Sequence, residues 1–322
     1  NDGGADLRGT VFDLKTTTDG NDVINLEIRP GLRGAGANPG YDIQDVTIKG
    51  GNVIDIRATE ATDGSGMSTE ATLRLKNVRI DGASESGDHD YSPQLLIANM
   101  FGNLEFRDSH WTDLYNAALV SNRSIVGVDS SISAYSSSYA GALSMTVTDQ
   151  GDINLLRVNT TTPNGWTTLA EQGDFYSLIT LRDSILRAGM GLDILTGMGG
   201  ELNVNGSHLT GEDYVYVNAR KIAITDSHIE GGNADDPAAS YPRYGSISLY
   251  NLPSYSAGEV VLTNSTLHTN GNSITIGNDP NVTTTLVNST VRIDGDHMES
   301  GIRIHGNVDA TDSNIIWNPT YY

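Results

Sequence analysis

The feature that most constrains this chain is a short phrase that keeps returning. Two apolar residues one position apart are followed by Asp or Asn, then Ser, and then an apolar residue one position further on. It reads Leu104-Glu-Phe106-Arg-Asp108-Ser109-His-Trp111 and Ile179-Thr-Leu181-Arg-Asp183-Ser184-Ile-Leu186. It returns over Leu202 to Leu209, Ile222 to Ile229, Val260 to Leu267, Thr284 to Val291 and Val308 to Ile315. Weaker copies run over Val46 to Val53, Leu73 to Ile80, Val126 to Ser133 and Ile153 to Thr160. With the Asp/Asn position as marker, the copies fall at Gly50, Asn77, Asp108, Ser130, Arg157, Asp183, Gly206, Asp226, Asn264, Asn288 and Asp312. The mean period is about 26 residues, the size of one coil in a repeat protein. Spacings vary from 20 (Gly206 to Asp226) to 38 (Asp226 to Asn264), as expected of a fixed rung carrying variable insertions.

Each unit holds a second apolar run. Examples are Leu95-Leu-Ile97-Ala-Asn99, Ala118-Leu-Val120-Ser-Asn122, Tyr214-Val-Tyr216-Val-Asn218, Ile247-Ser-Leu249-Tyr-Asn251, Ile274-Thr-Ile276-Gly-Asn278 and Ile302-Arg-Ile304-His-Gly-Asn307. Apolar and polar residues alternate in both runs, which is strand period. No amphipathic helix is legible, so helical crossovers are not expected. The closing asparagines suit a turn whose backbone groups need partners, and their amides are expected to stack as a ladder from coil to coil. The fold expected is all-β: a right-handed parallel β-helix (solenoid) of about 11 coils, with loop insertions along one edge. Residues 1–322 are read as a single β-helix domain. Residues 1–45 are the first coils or an N-terminal cap, through Val11–Leu14 and Val23–Ile28, and the natural protein is expected to continue beyond residue 322.

Composition narrows the function classes. The net charge of −21 repels nucleic acid and anionic lipid, and only four lysines are present (Lys15, Lys49, Lys76, Lys221). No nucleic-acid partner and no membrane insertion by this segment are expected. Cysteine is absent, which removes disulfides, thiolate metal sites and thiol nucleophiles. A long, acidic, Gly/Ser/Thr/Asn-rich chain without cysteine fits a secreted or surface protein of bacteria.

These coils resemble the passenger domains of Gram-negative autotransporter adhesins. The resemblance covers roughly Val46 to Trp317. It rests on the repeated rungs, of which Leu262-Thr-Asn264-Ser265-Thr-Leu267 is a clean copy, on the missing cysteine, and on the acidic Asn/Thr/Gly-rich composition. It implies secretion to the bacterial cell surface, with outer-membrane anchoring in the full-length protein. It also implies binding of host glycans or extracellular matrix proteins, or self-association that clumps cells. Pectate-lyase-like enzymes and phage tailspike depolymerases share the fold, and fold does not fix function.

Departures from the phrase are where function is sought, chiefly residues 81–94, 159–177, 230–246 and 292–301. Read as leaving at one register, they would form a lip beside a groove. An elongated groove with aromatic and carboxylate side chains suits a sugar polymer, because rings stack on its CH faces and carboxylates accept from its hydroxyls. The candidate ligand-binding residues are Asp88, Asp90, Tyr91, Trp166, Asp174, Tyr214, Tyr216, Asp235, Asp236, Tyr241, Arg243, Tyr244, Asp294 and Asp296. Tyr214 and Tyr216 alternate with valines and so share a face, close to Glu212 and Asp213.

Catalytic signatures are missing. Asp235-Asp236 is a doublet of the kind pectin hydrolases carry, without their accompanying motifs. No nucleophile elbow surrounds Gly64-Ser-Gly66. The chain is therefore read as a binding protein rather than an enzyme, and a polysaccharide lyase or depolymerase acting on acidic polysaccharide is the alternative. Asp88-His-Asp90 and Asp294-Gly-Asp296 offer the oxygen donors that Ca²⁺ takes. Acidic turns without metal are commoner, so no cofactor is expected. His110, His208 and His228 follow the rung serine and are expected to be outward and solvated.

Overall fold

The computed structural model describes residues 11–14, 23–28, 40–50, 53–58, 71–82, 94–136, 141–149, 151–172, 176–232, 245–251, 258–271, 273–294 and 301–318. Among them there is no helix. One coil shows the plan. Leu178–Arg182 is a leading strand, Ile185–Ala188 a middle strand and Gly191–Leu195 a trailing strand. The next coil repeats them as Glu201–Asn205, His208–Gly211 and Tyr214–Asn218. Each strand pairs in parallel, without slip, with its equivalent one coil on. Trailing strands build a parallel sheet of 11 strands. Leading and middle strands together make a 21-stranded sheet, fused where Ile125–Tyr135 and Ile153–Thr162 each run through the corner between them without a break. This is the pairing of a β-solenoid. The early strands join it, since Val11–Leu14 pairs Thr47–Gly50 and Val23–Ile28 pairs Val53–Ala58.

Strand period decides what is inside. Ile179, Leu181, Leu186, Leu192 and Ile194 are enclosed, while Thr180, Arg187 and Asp193, which alternate with them, face out. Stacking places like positions over like, so the interior is a set of apolar columns with Trp111 and Phe106 as its bulkiest members. Phe106 sits opposite Gly127 in the next coil, and a Cβ there would collide with its ring. The glycine makes room for the ring at a position where most coils carry an aliphatic side chain.

The phrase's Asp/Asn marks the corner between leading and middle strands. Asn77, Asp108, Arg157, Asp183, Asp226, Asn264, Asn288 and Asp312 all have φ between 46° and 51°. Left-handed backbone costs most side chains about 1–2 kcal/mol and is easiest for Gly, Asn and Asp, which explains the composition of this position. Two markers read from sequence are corrected. The corner of the first complete coil is Asp45 (φ 55°), not Gly50, and that of the fourth is Asp129 (φ 50°), not Ser130. At the second, Gly127 occupies an inward position and the apolar Val126 and Val128 face outward, which shifted the apparent phrase by one residue.

The serine after the corner points inward and is buried. Its hydroxyl donates to the carbonyl two residues back, as Ser184 Oγ does to Arg182 O at 2.9 Å. It also accepts from the backbone N–H at the equivalent corner of the preceding coil. Val158 donates to Ser184, Ser184 to Ser207, Ser207 to Ser227, Ser227 to Ser265, Ser265 to Ser289 and Ser289 to Ser313, all at 3.1–3.2 Å. A second stretch runs from Val78 to Ser109 to Ser130. The turn faces these N–H groups into an apolar interior, and the hydroxyl is their acceptor.

This ladder lies at a different corner from the closing asparagines, which end the trailing strands and were expected to form a ladder of their own. Asn99 and Asn251 are buried, but they bond backbone carbonyls: Asn99 Nδ2 donates within its own turn to Asn103 O at 2.7 Å, and Asn251 Nδ2 to Arg220 O of the preceding coil at 3.0 Å. Asn278 and Asn307 are exposed. Outside the corner a looser polar row does form, with Asn288 Nδ2 donating to Asn264 Oδ1 and Asn264 Nδ2 to Asp226 Oδ1, both at 3.0 Å.

The insertions also differ from the single edge expected. Residues 83–93, 233–244 and 295–300 fall between middle and trailing strands, whereas 59–70, 173–175 and 252–257 fall between trailing and leading strands. All lie outside the described residues. Most of the segment 159–177 is not an insertion: Asn159–Thr162 continues a middle strand and Trp166–Glu171 is a trailing strand. Inward Thr160, Thr162 and Thr167 hid this, because threonines replace the expected aliphatics. Thr162 and Thr167 satisfy each other's hydroxyls at 2.9 Å.

Replacing one ladder hydroxyl should therefore strand a buried N–H. Ser184→Ala is expected to destabilise the protein by about 1–3 kcal/mol. The outward Thr180→Ala should change little. Denaturant midpoints of the two variants check this.

Candidate functional site

Trailing strands are the ones bordered on both sides by long connections, so the residues on their outer surface merit attention. Tyr214–Asn218 alternates strictly. Val215 and Val217 are enclosed, and Tyr214 and Tyr216 lie outside and half-buried, on one shared face as the alternation predicts. Register sets their neighbours. Tyr214 lies opposite Gly191 and Tyr216 opposite Asp193 on one side, with Ser246 and Ser248 on the other. The ring of Tyr214 leans over Gly191, where a Cβ would collide with it. Its hydroxyl donates to Asp193 Oδ2 at 3.1 Å. Tyr216 meets Tyr250 of the next coil edge to face, with ring centroids 5.6 Å apart and planes at 82°. Such pairs favour this geometry because a ring's positive edge meets a negative face.

Trp166 belongs to the same column. It pairs with Gly141, and because Thr167 pairs with Leu192, Trp166 stands at the position next to Gly191. Gly141, Trp166, Gly191, Tyr214 and Ser246 thus follow one another across five coils, with a glycine on each side of the indole. The fold brings Trp166, Tyr214 and Tyr216 together on one surface and adds two residues that sequence reasoning passed over, Asp193 and Tyr250. Their signal was present: Tyr250 occupies a polar slot of the run Ile247-Ser-Leu249-Tyr-Asn251, and Asp193 sits between Leu192 and Ile194 in an alternation of the same kind.

The electrostatics follow from partial burial. Desolvation raises the Asp193 carboxyl above its ordinary range, and the Tyr214 hydrogen bond acts against that rise. Burial, with Asp193 beside it, pushes the Tyr214 phenol up to about 12. Tyr214 is therefore a neutral donor throughout the physiological range.

Asp294, the remaining described candidate, lies elsewhere. It follows the middle strand Thr290–Ile293, where Arg292 Nε and Asn318 Nδ2 donate to its carboxylate and His268 Nε2 lies 3.2 Å away. The Arg292 and Asn318 partners, with His268, hold its carboxyl below the usual range against the opposing effect of burial. Asp88, Asp90, Tyr91, Asp174, Asp235, Asp236, Tyr241, Arg243, Tyr244 and Asp296 lie outside the described residues.

His208 and His228 were expected to be outward and solvated. They are outward, but only partly solvated. Successive coils place them side by side, edge to face with ring centroids 4.8 Å apart, and Glu230 lies against both. Among the described residues, His208, His228 and Glu230 form a group of potential metal ligands whose donor atoms lie within 4.8 Å of one another. His110 stands apart, exposed, with Nδ1 2.9 Å from Ser131 Oγ.

Comparisons of this chain with protein-family models, with curated proteins and with solved structures find no match.

The Tyr214–Asp193 bond makes a signed prediction. Tyr214→Phe keeps the ring over Gly191 but removes the donor that favours the charged carboxylate, so the Asp193 pKa should climb further above its ordinary value. Side-chain carboxyl NMR during a pH titration reads this directly, and a downward or absent shift would contradict the bond.

Proposed function

We propose that this chain is the β-helical part of a secreted bacterial adhesin, and that its trailing face binds an extended host glycan. The observation that carries the reading is the aromatic surface formed by Trp166, Tyr214, Tyr216 and Tyr250, with Asp193 among them. Exposed rings on a rigid sheet stack against the CH faces of sugars, and a carboxylate with neighbouring hydroxyls accepts and donates to sugar hydroxyls. The trailing sheet supports this by its rigidity, since each ring is set by strand register rather than by a loop. Long connections at both borders would supply walls, and Tyr91, Tyr241, Arg243 and Tyr244 belong to them.

Charge refines the ligand. With a net charge of −21, the chain repels sulfated polymers at long range, so a neutral glycan fits better than a glycosaminoglycan or an acidic matrix protein. A lyase fits this face less well. Between Gln94 and Ile276, the described trailing strands carry no lysine or arginine to serve as base or as neutralising partner. For the fold, we take the solenoid as right-handed, the hand that parallel crossovers adopt almost without exception. It would have about 11 coils, one per strand of the trailing sheet. Autotransporter secretion and display at the cell surface belong to the same proposal and rest on the resemblance of the rungs.

A glycan array probed with the fluorescently labelled protein tests the reading. Retention on neutral oligosaccharides is expected, with Trp166→Ala and Tyr216→Ala each weakening it at least tenfold while thermal unfolding is unchanged. Absence of binding across the array, or full binding by both variants, would remove the proposal.

A further inference from the structure

Three of the seven histidines lie on the outer surface of the middle strands, in three successive coils. His208 and His228 are register partners, as are Glu230 and His268. Glu230 sits at the centre. Its Oε2 lies 3.8 Å from His208 Nε2 and 3.7 Å from His228 Nε2, and its Oε1 lies 3.8 Å from His268 Nδ1. His268 is oriented from its far side, where Nε2 meets Asp294 Oδ2 at 3.2 Å.

These separations are informative because they are too long for hydrogen bonds. His208 Nε2 is buried and has no hydrogen-bond partner, although a carboxylate faces it. The spacing suits two ligands sharing one ion. Bonds of about 2.0–2.1 Å in a tetrahedral site place donor atoms roughly 3.3–3.4 Å apart, so each His–Glu edge is within a few tenths of an ångström of closure. The donor atoms of the two imidazoles lie within 4.8 Å of each other, and ring rotation would have to bring them closer.

We propose that His208, His228 and Glu230 bind one divalent transition-metal ion of the zinc, nickel or copper class. Two imidazoles and a carboxylate are borderline donors that suit these ions, whereas calcium and magnesium take oxygen alone. The three side chains are 28–38% exposed, so water would complete the coordination. His268 is placed to act as a positioning residue: its Nδ1 lies 3.8 Å from the other oxygen of Glu230, and a small shift on metal binding would let it bond that oxygen, as outer partners of metal ligands commonly do. The surroundings agree. Ile185 and Thr266 flank the two histidines in their column and bring no charge. Arg187 stands two positions from Glu230 in the neighbouring column, beyond Thr210, and Arg292, next to His268, is held by Asp294. The site is on a different face from the aromatic surface and is independent of the glycan reading.

Calorimetric titration of the untagged protein with zinc chloride at neutral pH tests this. One equivalent is expected, with affinity falling at least tenfold in each of His208→Ala, His228→Ala and Glu230→Gln and unchanged in His110→Ala. His268→Ala should weaken binding by a smaller factor, and lowering the pH to about 5 should weaken it through imidazole protonation. Copper(II) bound at the site should show nitrogen hyperfine coupling in its electron paramagnetic resonance spectrum, reduced in His228→Ala. Circular dichroism and thermal midpoints establish that the variants are folded. Absence of zinc binding, binding unaffected by the three substitutions, or binding matched by calcium would overturn the proposal. A cluster that only takes up protons would give the first of these results.

Discussion

A coil that turns a tight corner must face backbone N–H groups inward, and an apolar interior offers them nothing. In this protein the answer is the serine hydroxyl. Each one donates within its own corner and accepts from the corner of the adjacent coil, so the corners are stitched in series along much of the rod. A ladder of this kind works only if serine lies over serine. It therefore fixes the register between coils more tightly than apolar packing could, because a slip of one residue would bury unpaired donors and turn every aliphatic column outward. The left-handed residue before each serine is the geometric counterpart of the same turn.

Fixed register has consequences outside the rod. Any residue type repeated at one position of the phrase becomes a row on the surface. His208 and His228 touch because each follows the rung serine, not because they are near in sequence. Arg157 reaches Asp129 in the same way, with Nη2 2.9 Å from Oδ2. Insertions do not disturb this order. Asp226 and Asn264 are separated by nearly twice as many residues as Gly206 and Asp226, yet both pairs are corners of adjacent coils. The solenoid is thus a frame on which long connections can vary while the faces between them keep their spacing.

Much of this was legible in the sequence. The phrase, the alternation of Leu202 to Leu209 and the valines of Tyr214–Asn218 read directly as strands with one buried side, because each position obeys a single rule. Reading failed where a residue obeyed a second one. Gly127 was made small by the neighbouring Phe106, which hid the corner at Asp129. Inward threonines at 160, 162 and 167 stand where aliphatics were expected, with Thr162 and Thr167 pairing through their hydroxyls, and looked like loop. The serine ladder was visible as a conspicuous Ser, but its purpose depends on a backbone donor in another coil, which no single copy shows. The surface groups required the register itself. Tyr214 and Tyr216 could be placed on one face from their own strand, whereas Asp193, Tyr250 and the imidazole pair around Glu230 come together only when coils are laid over one another.

The central claim is that position along the rod is set by coil number and not by sequence distance. Because the chain has no cysteine, pairs of spin labels can be placed at will. Arg74, Asn203, Ala223, Val261 and Thr285 occupy one column of the leading strands, linked through Glu105, Val126, Asn154 and Thr180. Pulsed electron paramagnetic resonance distances from a label at 74 to labels at 203, 223, 261 and 285 should rise by one strand spacing of about 4.8 Å at each step. The step from 223 to 261 should equal the step from 203 to 223 despite its greater length of chain. Steps that scale with sequence separation, or distances that do not rise evenly, would contradict the account.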